Sequence, residues 1–318
     1  MSKNYLIVGG AGFIGNHFTE ELLNRRYGLV RVVDNLCSGS LEHIARFATY
    51  SNFEFSEMDV ENTNLLIDAM TGIDTVIHLA SNPDISRAMT EPRIDFTQGT
   101  VLTESVVEAA RVSDVSTLLY ASGSGVYGDA GVNELTEDSH LNPISTYGAS
   151  KLAGESLLAS YSYMFDLKCI AFRFANVVGP KQTHGVGYDF LRRLKTDPSK
   201  LEILGDGKQN KSYIYVTDVI EAVLLAEEKV ESGYDVFNIS TQDQITVSAI
   251  AEITEEILGI EVNTVQYFFS GGDRGWKGDV PRIKLSSEKI RKLGWVPRFT
   301  SHEAMQLSIQ AMKEELNS

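Results

Sequence analysis

Tyr147 and Lys151 stand four residues apart in the stretch Pro143-Ile144-Ser145-Thr146-Tyr147-Gly148-Ala149-Ser150-Lys151. The stretch reads as the start of a helix, and residues four apart lie on one helix face. The phenol and the ammonium can therefore point into the same space. A free tyrosine ionises near pH ~10 and is a poor base at neutral pH. A nearby cation favours its charged form. Tyr147 is thus a candidate general base, with Lys151 expected to lower its pKa. Taken alone the spacing also suits a solvated surface pair, so the reading depends on what else the chain brings to the same place.

The N-terminal stretch brings a nucleotide site. Tyr5-Leu6-Ile7-Val8 is a short apolar run followed by Gly9-Gly10-Ala11-Gly12-Phe13-Ile14-Gly15. Ile14, Phe18 and Leu22 then recur at helical spacing, Arg25 and Arg26 fall in the expected last turn, and Gly28 reads as the stop. Strand, glycine turn and helix in this order suit a dinucleotide. Gly9, Gly12 and Gly15 permit a tight turn and close approach to a pyrophosphate, and the helix N-terminus supplies amides for it. The next strand, Val30-Arg31-Val32-Val33, ends at Asp34. An acid there suits the adenine ribose hydroxyls and repels a 2′-phosphate, which favours NAD over NADP.

Further strands alternate with helices. Strands are predicted at 52–57, 75–80, 117–121 and 169–174, with helices over 102–111 and from Tyr147 through Leu158. This rhythm predicts an α/β, Rossmann-type doubly wound parallel sheet. Ligands of such sheets sit beyond the carboxyl ends of the strands. Asp34, Asp59, Ser81, Ser122 and Asn176 all fall at such ends. His78 lies within an apolar run and reads as a core histidine. Beyond Asn176 the rhythm is less regular. The expected division is an NAD-binding domain over 1–175, rejoined by about 212–240, and a smaller substrate-binding domain over about 176–211 and 241–318. Lys211, Arg274 and Lys277 are the cations there that could neutralise a diphosphate.

Composition narrows the partners. The 318 residues carry 28 basic against 43 acidic side chains, net −15, which argues against nucleic acid and anionic membrane. Cys37 and Cys169 are the two cysteines and lie far apart, so neither a disulfide framework nor a metal site is expected. Met1-Ser2-Lys3-Asn4 leads straight into a strand without a signal-peptide pattern, and a cytoplasmic protein is expected.

These motifs resemble the extended short-chain dehydrogenase/reductase family of nucleotide-sugar enzymes, and archaeal-type UDP-glucose (UDP-galactose) 4-epimerases in particular. The resemblance spans nearly the whole chain. It rests on the glycine motif at 9–15, Asp34-Asn35-Leu36, Val126-Tyr127-Gly128, Tyr147-Gly-Ala-Ser-Lys151, Arg173-Phe-Ala-Asn176 with Gly179-Pro180, and Tyr213-Ile-Tyr-Val-Thr-Asp218. It implies NAD that stays bound, a Tyr147 phenolate that takes the proton of the sugar C4 hydroxyl, and a transient 4-keto sugar that is reduced on its other face. It further implies cofactor contacts from Phe13, Ile14, Asn35, Ser38, Gly39, Asp59, Val60, Leu79, Ala80, Ser81 and Phe174, besides Lys151 on the nicotinamide ribose. Substrate contacts are implied for Ser81, Asn176, Lys211, Tyr213, Arg274 and Asp279, with a UDP-hexose as substrate and a homodimer formed through the helices around Leu102 and Leu157. Ile283, four past Asp279, would gate the sugar pocket.

The chain also departs from the family pattern. Gly123 stands where a Ser or Thr usually hydrogen-bonds the reacting hydroxyl, leaving Ser122 and Ser124 as neighbouring hydroxyls to replace it. Phe96 replaces a usual Asn, Pro83 a lysine of some epimerases, and Trp276 the Arg of an Arg-x-Gly-Asp loop, with Arg274 displaced by two. Three functions stay open: a 4-epimerase, a related dehydratase or decarboxylase, and a non-catalytic NAD-binding protein. Ser124 and Gly125 supply no acid for elimination, which disfavours the second; the retained Tyr147 and Lys151 disfavour the third.

Overall fold

The computed structural model describes residues 2–317. Their contacts divide into two units. The first takes the chain up to Val126, then Pro143–Arg173 and Ile220–Phe237. The second takes Tyr127–Asn142, Phe174–Val219 and the chain from Asn238 onward. Tyr127–Asn142 thus departs from the expected division, which places it with the nucleotide-binding part.

Seven strands form a parallel sheet: β1 Tyr5–Val8, β2 Val30–Asp34, β3 Phe53–Glu57, β4 Thr75–His78, β5 Thr117–Gly123, β6 Lys168–Phe174 and β7 Tyr234–Ile239. Their spatial order is β7-β6-β5-β4-β1-β2-β3. The order reverses between β1 and β4, which is where a doubly wound sheet opens its ligand crevice. Burial explains the sequence patterns. β1 is central and buried at every residue, hence its unbroken apolar run, whereas β3 at the edge reads Phe-Glu-Phe-Ser-Glu and is partly exposed. Helices α1 Phe13–Asn24, α2 Thr63–Ala69, α3 Leu102–Val112 and α4 Thr146–Phe165 accompany this sheet. Leu66, Val106, Val107, Leu118 and Leu158 share one buried core with Leu6 and Val8.

Three local features differ from expectation. α1 stops at Asn24; Arg25 is its C-cap, and Arg26, not Gly28, takes the left-handed turn at φ 56°. β4 ends at His78, because the Leu79 and Ala80 amides both turn to the Val8 carbonyl. β5 runs on to Gly123, two residues further than expected. A π-helical turn at Phe96–Val101 precedes α3.

In the second unit, short strands at Ile245–Thr246, Asn210–Lys211, Arg282–Leu285 and Glu134–Leu135 form one sheet in that order. Asn176–Val178 pairs in parallel with Tyr213–Tyr215. Helices Val186–Thr196, Val247–Leu258 and Ser301–Glu315 bury Leu191, Ile250, Met305 and Ile309 in a core of their own. Among the described residues no helix is long and apolar enough to cross a membrane.

Candidate active site

The turn between β1 and α1 needs its glycines. Gly9 has φ +82°, and a Cβ there would stand 2.8 Å from the Ala80 nitrogen. A Cβ on Gly15 would stand 2.4 Å from the Gly9 carbonyl oxygen, so α1 rides directly on the turn. Gly12 gives α1 no side-chain cap, and the first turn, with Phe13 and Ile14, holds no acid to compete with a bound anion. Asp34 closes β2. Its Oδ2 accepts from the Ala11 amide at 3.0 Å and its Oδ1 from the Leu36 amide at 2.8 Å. Burial pushes the Asp34 carboxyl up, and these amides oppose the rise. Gly39 lies against Ala11 and Asp34, while Asn35 and Ser38 are exposed beside them. Further along the same sheet come Asp59, exposed and capping the Glu61 amide, buried Val60, and half-buried Leu79 and Ala80. Phe174 is the buried last residue of β6. A glycine turn, an uncapped helix start and an acid at the end of β2 fit a dinucleotide.

Tyr147 is the second residue of α4, whose N-cap Ser145 accepts from the Gly148 amide at 3.0 Å. Lys151, one turn on, is 3% exposed. Its Nζ donates to the Ala121 carbonyl at 2.8 Å and stands 5.5 Å from the centre of the Tyr147 ring. Desolvation pushes the half-buried phenol up to about 12, and the Asp95 charge adds to the rise; the side chain that lowers it is Ser81, as a hydrogen-bonding partner. The phenol therefore stands above its ordinary value, not below it, because desolvation outweighs its neighbours. The ammonium lies over the ring, and burial pushes Lys151 itself down to about 8, opposed by Asp95 and Glu155. His78 is a core residue as expected. Its Nε2 meets Thr103 Oγ1 at 3.0 Å, and burial holds it neutral, down to about 3.

Two carboxylates next to this pair were not singled out in the sequence. Asp95, 1% exposed, accepts from Asn82 Nδ2 at 2.8 Å and from Thr146 Oγ1 at 2.6 Å. Glu155 is held by Arg173 and also accepts from Ser122 Oγ at 2.5 Å. Ser122 is therefore buried and directed at Glu155, which removes it as a stand-in at Gly123. Ser124 is half-buried in the turn that follows β5. Glu155 was findable, since it repeats the four-residue step from Tyr147 to Lys151. Asp95 gave no signal, because fifty residues of chain separate it from the helix it holds.

The second unit gathers another set. Lys211 Nζ and Asp279 Oδ1 pair at 2.5 Å, and Asp279 Oδ2 accepts from the Gly275 amide. Tyr213 is buried, its phenol pushed up by burial and then by the Asp279 charge. Asn176 Nδ2 donates to the Ser212 carbonyl at 3.1 Å. Arg274 turns to Asp273 and Asp129, and Lys277 is exposed.

The chain is similar to known proteins. A profile of the NAD dependent epimerase/dehydratase family matches residues 5–240. The UDP-glucose 4-epimerase of Mycolicibacterium smegmatis is 30% identical over 322 residues, covering 98% of each chain. A human dTDP-D-glucose 4,6-dehydratase is 28% identical over 327 residues, 100% of this chain and 92% of that one. A crystal structure of a UDP-galactose 4-epimerase is 38% identical with TM-score 0.87, covering 98% and 99%. The Thermotoga maritima UDP-glucose 4-epimerase, solved with UDP-glucose, is 32% identical with TM-score 0.88, covering 98% and 99%. With the glycine turn, the acid of β2 and the Tyr147–Lys151 pair all on one doubly wound sheet, the chain belongs to the NAD-dependent epimerase/dehydratase family.

Proposed function

We propose that the protein is an NAD-dependent 4-epimerase of a nucleotide-activated hexose, with UDP-glucose and UDP-galactose as the interconverted pair. The observation that carries this reading is a phenol one helical turn from a buried ammonium, in the unit that also holds the glycine turn and Asp34. Elimination would need an acid on the turn after β5, and Gly123, Ser124 and Gly125 supply none. The two neighbouring carboxylates are engaged elsewhere, Asp95 by Asn82 and Thr146, Glu155 by Arg173.

NAD supplies a hydride acceptor and donor when bound. Gly9, Gly12, Gly15 and Asp34 hold it, with Asn35, Ser38, Gly39, Asp59, Val60, Leu79, Ala80 and Phe174 as further contacts. Tyr147 Oη takes the proton of the sugar C4 hydroxyl and later returns it. Lys151 keeps a positive charge beside the ring and anchors α4 to the end of β5 through Ala121. In the second unit we assign the nucleotide diphosphate to Lys211, Tyr213, Arg274, Asp279 and Asn176. We also assign a homodimer to the helices α3 and α4, which leave Val112, Tyr163, Met164 and Phe165 exposed, Tyr163 at 91%.

Incubation with UDP-glucose and, separately, UDP-galactose, followed by chromatography of the sugars, tests the reading. Both reactions should reach one common ratio of the two hexoses. A dehydrated or decarboxylated product, or unchanged sugars from NAD-loaded protein, would overturn it. Sedimentation of the purified protein tests the dimer.

A further inference from the structure

Gly123 leaves the active site without the hydroxyl that would normally partner the base. An added Cβ at Gly123 meets nothing within 4 Å, so the position is bare and open. Ser122 cannot fill it, because its hydroxyl is buried on Glu155. Ser81 lies on the neighbouring strand end, just past β4, and is half-buried. Its backbone is set by the Leu79 and Ala80 amides on the Val8 carbonyl. The next residue, Asn82, is buried and donates to Asp95 Oδ1 at 2.8 Å. The other oxygen of the same carboxylate accepts from Thr146, the residue before Tyr147, at 2.6 Å. One buried carboxylate therefore ties the neighbour of Ser81 to the neighbour of Tyr147. We propose that the Ser81 hydroxyl is the catalytic partner of the Tyr147 phenol, replacing the side chain absent at Gly123, and that Asp95 is the positioning residue that holds the two together. A hydroxyl that can donate to the phenolate and accept from the phenol matches what a relay at the base must do.

The groups around Tyr147 fit this assignment. Its other charged and titratable neighbours are Lys151 over the ring, Asp95, Tyr120 and, through Lys151, Glu155 with Arg173 and His78. Ser81 hydrogen-bonds the phenol and opposes the rise that burial and Asp95 produce.

The proposal rests on the epimerase reading for its rate arm only. For that arm, kcat on UDP-galactose is compared for wild type, Ser81→Ala and the double variant Ser81→Ala with Gly123→Ser. Ser81→Ala should lower kcat about 10²-fold, and Gly123→Ser should restore at least about tenfold of the loss. A merely structural Ser81 would not be rescued from the adjacent strand. The second arm is independent of turnover. Ring-fluorinated tyrosine is incorporated, and the Tyr147 fluorine resonance, identified by its loss in Tyr147→Phe, is titrated in the NAD-loaded protein. Its midpoint should rise by about one pH unit in Ser81→Ala, and also rise in Thr146→Val, which breaks the Asp95 tie. If wild type turns over no sugar, the epimerase reading fails and the titration alone decides. A kcat within threefold of wild type in Ser81→Ala, a folded double variant without rescue, or an unmoved midpoint would overturn the proposal.

Discussion

The two units hold their chemistry in opposite ways. In the first, Lys151 is buried and its pKa is pushed down, Tyr147 is pushed up, and two buried carboxylates organise the surroundings, Asp95 through Asn82 and Thr146 and Glu155 through Arg173 and Ser122. In the second, Lys211, Asp279, Arg274 and Asp129 are partly exposed and hold one another as ion pairs. Burial sets protonation in the first, which suits the proton transfer proposed for it. Pairs near water contribute little to stability and exchange partners at low cost. The second set therefore suits the diphosphate role proposed for it.

The largest expected break is Tyr147→Phe. It should lower epimerisation by about 10³-fold or more while bound NAD and far-UV circular dichroism stay as in wild type. Retention of most of the rate would mean the base is elsewhere. Next comes Lys151→Met, which should lower kcat by about 10²-fold yet leave the melting temperature at neutral pH unchanged or higher, since replacing a buried ion by an apolar chain of similar size is often neutral or stabilising. The sign with pH follows from the lowered pKa. Between about 8 and 10.5 the unfolded state binds the extra proton, so wild-type stability gains from this group as pH rises and the Met variant's advantage shrinks. An advantage that grows with pH would contradict the burial argument.

The second region is broken more gently. Lys211→Ala should raise KM for UDP-galactose about tenfold, with kcat within a few-fold and a weaker response of KM to added salt. A kcat loss with unchanged KM would place Lys211 in the chemical step and erase the contrast between the two sets. The smallest effect concerns Ile283, buried beside Lys211 in the strand register. A side chain of this size at the gate should permit UDP-N-acetylglucosamine to turn over within about tenfold of UDP-glucose, a difference of about 1.4 kcal/mol. Clear turnover of UDP-glucose with none of the N-acetylated sugar would remove Ile283 from that role.

Local patterns made much of this legible. The apolar run of β1, the glycines and Asp34 are read within thirty residues of each other, and Tyr147 and Lys151 within one turn. What stayed hidden was set by contacts across long sequence separations. Asp95 joins Asn82 to Thr146, and Ser122 is drawn to Glu155 by a carboxylate that Arg173 already holds. The sign of the Tyr147 shift was also hidden, because it depends on how far the phenol is desolvated and on where the Lys151 ammonium sits, over the ring at 5.5 Å. Composition carries neither quantity.

The first unit draws on three separate lengths of chain, and β7, at the edge of its sheet, lies in the last of them. A ribosome delivers these in order. After Phe174 completes β6, about sixty more residues are made before Tyr234 begins β7, which at 5–20 residues per second is about 3–12 s. During that interval the outer edge of β6, a run of Lys-Cys-Ile-Ala-Phe-Arg-Phe, has backbone groups with no strand beside them. Lys168, at the start of this run, is a charge of the kind that discourages another chain from pairing there. Until β7 is made, this edge is open to pairing with another chain; once β7 is in place, it is covered.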